Sequence, residues 1–407
     1  MRKRTKGASC DPMNYESLMN RTLQNLKPSG IRKFFDIASE MEEVISLSVG
    51  EPDFSTPWHI RQEGILTLET RKTVYGPNAG LLKLRESIGR YVERHVGASY
   101  DAAKEILVTV GGSEAIDLAI RALAEPGDEV LIPQPSFVCY EPLTCMAGAK
   151  PVPVVTKAED AFRLTPEALR AAITPKTKLL ILPYPNNPTG GVMRREHLEA
   201  IAAVLRDTDI MVLSDEIYGE LTYGGKRHVS IVSLPGMQER TILVNGFSKA
   251  FAMTGWRLGY ACGPAPVMQN IIKLHQFAIM CAPITAQYAG IEAMDNGGED
   301  VERMRSEYDL RRRFIVDRLN AMGLTCFEPE GAFYVFPSIA VTGMTSEEFC
   351  EKLLREKHVA VVPGTAFGDC GEGFVRISYC YSIKHITEAM GRMEAFLTEH
   401  GCRKDGQ

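Results

Sequence analysis

A lysine stands where an apolar strand gives way to a loop: Lys249, in the run NGFSKAFAMTGWRLGY from Asn245 to Tyr260. Its ammonium is strongly hydrated and costly to desolvate, so packing alone is a poor use of it. Forming a Schiff base with an aldehyde is a task that repays the cost, because burial depresses the pKa of the amine and frees its lone pair. Arg257 lies in the same run and cannot lose its proton, which suits a dianionic phosphate. Pyridoxal phosphate is an aldehyde that also carries a phosphate, and the pair suggests it. Most lysines are solvated, so a chemical role for this one needs partners elsewhere in the chain.

Four further groups stand at the ends of apolar runs. In VTVGGSEAID, Gly111, Gly112 and Ser113 follow a strand and open a helix, where unpaired N–H groups and the helix dipole make an anion site. The plainer alternative is a tight turn with Ser113 as N-cap. In YPNNPTG the prolines and glycine stiffen a turn that leaves Asn187 able to donate and to accept. In LSDEIYGE, Asp215 ends a strand with Tyr218 in the following turn. A carboxylate there can hold a pyridine nitrogen protonated, although an N-cap is the commoner use of such an aspartate. In VRISY, Arg376 lies within a strand. Burying its charged fork requires an anion, either a substrate carboxylate or a structural ion pair.

Holding these groups together requires a scaffold that brings strand ends to one place. ILVTV (106–110), EVLIP (129–133), PVPVV (151–155), KLLILPYP (178–185), DIMVLSDE (209–216), TILVNGF (241–247) and LGYACG (258–263) alternate with helix-length segments such as RREHLEAIAAVLRD. Continuous apolar strands between helices predict an α/β fold with a mostly parallel sheet covered on both faces. Right-handed crossovers then gather the strand carboxyl ends on one side, where ligands bind. After Asn296 a long charged helix leads into FEPEGAFYVFP, VAVVPG, FVRISY and two more helices, which predicts a smaller α+β domain. The expected division is an N-terminal arm over 1–27, a segment at 28–60 that joins the small domain, a large domain at 61–300 and the small domain at 301–407.

Composition narrows the function classes. The chain has 407 residues, 45% hydrophobic and 24% charged, with 46 Lys and Arg against 51 Asp and Glu for a net charge of −5. That is an ordinary globular balance without a basic stripe, so no nucleic acid is expected as a partner. The ten cysteines show no CxxC pair, which fits reduced thiols in a cytoplasmic protein. The basic opening Met1–Lys6 runs into a polar GASCDPMNYES, so export is not expected. The uncharged stretch 277–291 contains Pro283 and is too short to span a membrane; it reads as a buried helix or a subunit interface.

GFSKAFAMTGWRLG resembles the lysine signature of the class I and II aminotransferases, the pyridoxal-phosphate enzymes of fold type I. SVGEPDF, YGPNAGLLKLRESI, YPNNPTG, SDEIYGELTY, EGAFYVFP, VVPGTAFG and VRISY resemble further blocks of that family, in its order, over roughly residues 28–400. The resemblance implies a seven-stranded large-domain sheet and a role for each residue. Lys249 would be the Schiff-base lysine and proton carrier, and Asp215 the partner of the pyridine nitrogen. Tyr218 and Asn187 would bond the ring oxygen, and Phe137 would stack on the ring. Gly112, Ser113 and Arg257 would hold the phosphate. Tyr75 would reach it from a neighbouring subunit, which implies a homodimer with shared sites. Gly50, Asn187 and Arg376 would cradle the substrate α-carboxylate. Some relatives carry a serine at the position of Gly246, and Ser248 is the expected substitute. No residue matches the second arginine of aspartate-specific relatives.

The implied activity is amino-group exchange between an amino acid and a 2-oxo acid, with glutamate and 2-oxoglutarate as the default couple. The resemblance is to the subgroup of aspartate, aromatic and N-acetyl-diaminopimelate aminotransferases. The rival reading is another reaction of the same fold, a lyase or an aminocyclopropane-carboxylate synthase-like step. A regulator that has lost turnover is disfavoured, because the residues before Pro28 are too few for a helix-turn-helix module.

Overall fold

The computed structural model describes residues 13–26, 30 and 41–402. The basic opening Met1–Lys6 and, apart from Gly30, the run at 27–40 lie outside the described residues. A short strand β1 (Ile45–Ser46) comes first among the strands. Seven more follow: β2 (Ile106–Thr109), β3 (Glu129–Gln134), β4 (Lys150–Val155), β5 (Thr177–Leu182), β6 (Met211–Asp215), β7 (Thr241–Gly246) and β8 (Gly259–Cys262). They form one sheet in the order β2-β8-β7-β6-β5-β3-β4. All neighbours are parallel except β8, which runs antiparallel to both β2 and β7.

The apolar runs form this sheet because both faces are buried. Leu179 and Ile181 of β5 pack into one core, and Leu180 and Leu182 into another. In β6, Leu213 joins the first core and Val212 the second. That period of two leaves no polar face to alternate, so the strands read as unbroken hydrophobic segments. The helix Gly111–Leu123 seals one face with Ala115, Leu118 and Ala119.

The antiparallel course of β8 has a direct effect on the site. Since β2 pairs antiparallel with β8, it runs in the same direction as β7. The ends of β2, β3, β5, β6 and β7 therefore share one edge of the sheet with the beginning of β8.

Two smaller sheets complete the chain. The strands β9 (Tyr334–Val335), β10 (Val359–Ala360), β11 (Val362–Pro363) and β12 (Val375–Ser378) follow the helix Gly298–Ala321. β11-β12-β9 form an antiparallel sheet, and β10 pairs in parallel with β1. The helices Gly298–Ala321, Ser346–Lys357 and Ile383–Glu399 cover them over a core that includes Phe333, Leu353 and Phe396. This is the α/β sheet plus smaller α+β unit that the sequence predicts.

Local expectations differ at three places. The run KLLILPYP leaves the sheet at Leu182, because Pro183 has no N–H to continue the ladder. VAVVPG divides at Val361 into β10 and β11, which belong to different sheets. The stretch 277–291 is not one buried helix: one helix ends at Ala278, the next begins at Ile284 after Pro283, and Phe277 is 83% exposed.

Candidate active site

The shared edge of the seven-stranded sheet frames a cavity of about 290 Å³. Lys249 follows β7 and sends Nζ into it, 2.6 Å from the carbonyl oxygen of Gly50. Burial lowers the lysine pKa to about 8, so an appreciable share of the amine is neutral near physiological pH. Asp215, the last residue of β6, is buried on the same cavity wall. Its Oδ2 accepts from the Tyr140 hydroxyl at 2.7 Å and its Oδ1 from the Ile217 N–H at 3.2 Å. Burial raises its pKa to about 6, and these two donors oppose the rise. A buried carboxylate in that state is primed to take a cationic N–H partner. The N-cap alternative accounts for only one of its two oxygens.

A second part of the wall is built to hold an anion. The helix Gly111–Leu123 begins without a side-chain cap, so its first N–H groups remain available to a ligand. Gly111, Gly112 and Ser113 form its first turn, and Ser113 is not its N-cap. Arg257 adopts the left-handed conformation (φ 52°) and anchors Nη1 on the Thr254 carbonyl at 3.0 Å. Its guanidinium passes close over Gly111 (φ 77°), where an added Cβ would lie 2.6 Å from Nη2. Only glycine satisfies both the backbone angle and that approach. Ser248 also lines this cavity. Side-chain-free N–H groups beside a fixed guanidinium suit a phosphate dianion.

The opposite wall comes from the smaller sheets. Arg376 on β12 is 3% exposed, and its Nη1 donates to Asn187 Oδ1 at 3.0 Å while Nη2 donates to the Ser48 carbonyl. Its Nε is buried without a partner. No ion pair to Arg376 occurs among the described residues, so the structural alternative for its burial fails. A buried cation without a counter-ion is costly, and an incoming carboxylate removes the cost. Tyr334 of β9 stacks over the guanidinium at 4.6 Å and shares a 2.9 Å hydrogen bond with the Tyr218 hydroxyl. An added Cβ at Gly50 would lie 1.8 Å from the Tyr334 hydroxyl, so this glycine permits the two walls to meet.

The fold thus brings Gly50, Gly112, Ser113, Phe137, Asn187, Asp215, Tyr218, Ser248, Lys249, Arg257 and Arg376 to one cavity. Tyr75 is not there; it is 82% exposed on the surface of the single chain. Sequence reasoning missed Tyr140, Tyr334 and Ser48. Tyr140 shares the PSFVCY run with Phe137, and Tyr334 lies in EGAFYVFP, but neither hydroxyl carries a local signal of its distant partner.

The profile of the class I and II aminotransferases matches residues 42–393. A Bacillus subtilis protein named a putative aminotransferase is 52% identical over 94% of this chain and 98% of its own length. The aspartate aminotransferase of Pyrococcus abyssi is 48% identical over 94% of this chain and 98% of its own. Among solved structures, the aromatic aminotransferase from Pyrococcus horikoshii has a TM-score of 0.87 at 45% identity, covering 91% of this chain and 100% of that one. On both sequence and fold, the chain belongs to the class I and II aminotransferases.

Proposed function

We propose that the chain binds pyridoxal 5'-phosphate in this cavity and exchanges an amino group between an L-amino acid and a 2-oxo acid. The couple is glutamate with 2-oxoglutarate, in a ping-pong sequence. The observation that carries the reading is that Lys249, with its lowered pKa, lines one cavity with the carboxylate of Asp215, the uncapped helix start and Arg257. When bound, pyridoxal phosphate supplies a carbonyl for amine capture and a ring that accepts electron density from the substrate α-carbon.

The protein's part follows from its own groups. Arg257, Ser248 and the N–H groups of Gly112 and Ser113 hold the phosphate. Asp215 keeps the ring nitrogen protonated, Tyr218 and Asn187 donate to the ring oxygen, and Phe137 covers the ring face. Arg376, Asn187 and Gly50 grip the α-carboxylate, which leaves the α-hydrogen accessible to Lys249. As a neutral amine Lys249 would take that proton, and as an ammonium it would give it back, so one residue would serve as general base and general acid.

Assembly as a homodimer completes the reading. Trp58, Leu68, Val74, Tyr75 and Phe277 are between 59% and 83% exposed, too apolar a set to face solvent comfortably. Asn78 ties the loop after Tyr75 to the Met280 carbonyl at 2.9 Å, so these segments present one face. Across a two-fold axis, Tyr75 would reach the partner's phosphate site. No helix among the described residues is long and apolar enough to cross a membrane, and the nine described cysteines are free, which supports a reducing cytoplasm.

The visible spectrum of the purified protein with pyridoxal phosphate, before and after glutamate, tests this proposal. A yellow band that converts to the amine form on adding glutamate is the expected result. A band that does not respond would exclude glutamate as donor and favour the lyase chemistry available to the fold. No band at all would overturn the role of Lys249.

A further inference from the structure

A second cavity, of about 310 Å³, opens beside the loop that follows Thr222 and shares no lining residue with the active site. Arg194, Lys226 and Arg227 line it, and Glu330 is its one carboxylate. That single carboxylate is divided among three cations. Its Oε1 accepts from Arg194 Nη2 at 2.7 Å and Arg163 Nη2 at 3.2 Å, and its Oε2 from Lys226 Nζ at 3.3 Å. Arg227 has no hydrogen-bond or ion-pair partner among the described residues. Arg194 Nε is buried and unpartnered.

Arg163, Arg194, Lys226 and Arg227 stand against Glu330, with Glu196 and Glu302 acting from beyond bonding distance, which leaves a small local surplus of positive charge in a chain whose net charge is −5. Its neighbour His197 is held below the ordinary histidine pKa, first by burial and then by Arg163 and Arg194, with Glu196 and Glu330 opposing them. Like charges gathered at a concave surface repel one another, and the one carboxylate within bonding distance does not balance them. The turn is closed by Gly224 and Gly225, at φ 70° and 71°, and carries Lys226 and Arg227 to the rim. Val192 and Val229 supply apolar walls.

We propose that this cavity binds a compact oxyanion carrying two or more charges, a phosphate monoester or a small dicarboxylate. The planar forks of Arg194 and Arg227 engage its oxygens and Lys226 supplies a point charge. The volume accommodates a small metabolite. Glu330 fixes the cations in place while the anion is absent. Glu330 also precedes Gly331, and the N–H groups of both donate to the Gly190 carbonyl at 3.1 and 2.9 Å. An occupant would therefore rest against the turn that carries Asn187.

Calorimetric titration of inorganic phosphate, and separately of succinate, into the cofactor-loaded enzyme at low ionic strength tests the site. The expected result is a saturable event, suppressed by added salt and weakened about tenfold or more in Arg194→Gln/Arg227→Gln and in Lys226→Gln. Lys226 and Arg227 lie at the rim and Arg194 is half-buried, and matching far-ultraviolet spectra confirm that the variants fold. Saturation by phosphate alone assigns the phosphate class, by succinate alone the dicarboxylate class, and by both a site that reads charge. An event unchanged in these variants would place the anion elsewhere and overturn the proposal, as would the absence of any saturable event.

Discussion

The Tyr140 hydroxyl donates to Oδ2 of Asp215 at 2.7 Å, and both groups are buried. The bond favours the ionised carboxylate, which burial alone would push towards its acid form. Tyr140→Phe removes that support and raises the Asp215 pKa. The acid limb of the kcat/KM profile is expected to move to higher pH. A hydrogen bond to a charged group is worth about 1.5–3 kcal/mol, so activity below the limb should fall about tenfold or more. An unmoved limb would show that Asp215 does not titrate in the profile.

Asp215 also sets a trade between stability and activity. Its folded pKa of about 6 lies above the ordinary 3.8, so its proton stabilises the fold at low pH. That contribution is lost as pH rises from 3.8 through about 6, a change of at most about 3 kcal/mol. Asp215→Asn stays neutral throughout. In the absence of cofactor, it should unfold at higher urea than the wild type at pH 7.5, with the gap closing towards pH 4, while turnover is nearly abolished. Wild-type turnover in the variant would remove Asp215 from the mechanism.

Arg376→Lys keeps the charge and loses the fork. Each charge-assisted bond is worth about 1.5–3 kcal/mol, so KM for the amino acid should rise about tenfold or more. A primary amine without a carboxylate should react equally slowly with both forms. Equal KM values for the amino acid would contradict the assigned grip.

Gly111→Ala tests the phosphate cradle. The alanine must hold φ near 77° and displace the guanidinium of Arg257, a backbone cost of about 1–2 kcal/mol before any loss of contact. Spectral titration should show pyridoxal phosphate binding weakened about tenfold or more, with pyridoxal, which has no phosphate, little affected. If both weaken alike, the cradle holds something other than the phosphate.

Much of this was legible in the sequence, for identifiable reasons. Strands buried on both faces leave continuous apolar runs, and residues such as Asp215 and Lys249 stand out because they interrupt them. The lysine signature and the strand-end turns carried the cavity residues named in advance. What stayed hidden depends on contacts far apart in sequence. Tyr140 meets Asp215, and Tyr334 meets Tyr218, only after the sheets assemble. The two-residue strands β1, β10 and β11 are too short to show a period. The reversed direction of β8 has no marker in LGYACG.

That reversal divides the labour of the site. Lys249 and Arg257 both lie in the loop joining β7 to β8, closed at its base by the pairing of Gly246 with Gly259. The amine of Lys249 and the guanidinium of Arg257 therefore share one short tether, with its ends stitched into the same sheet. The guanidinium of Arg376, by contrast, rides on the smaller sheets with Tyr334. On the proposed function, the residues that hold the substrate carboxylate and those that seat the cofactor would therefore be built on different sheets and meet only at the cavity.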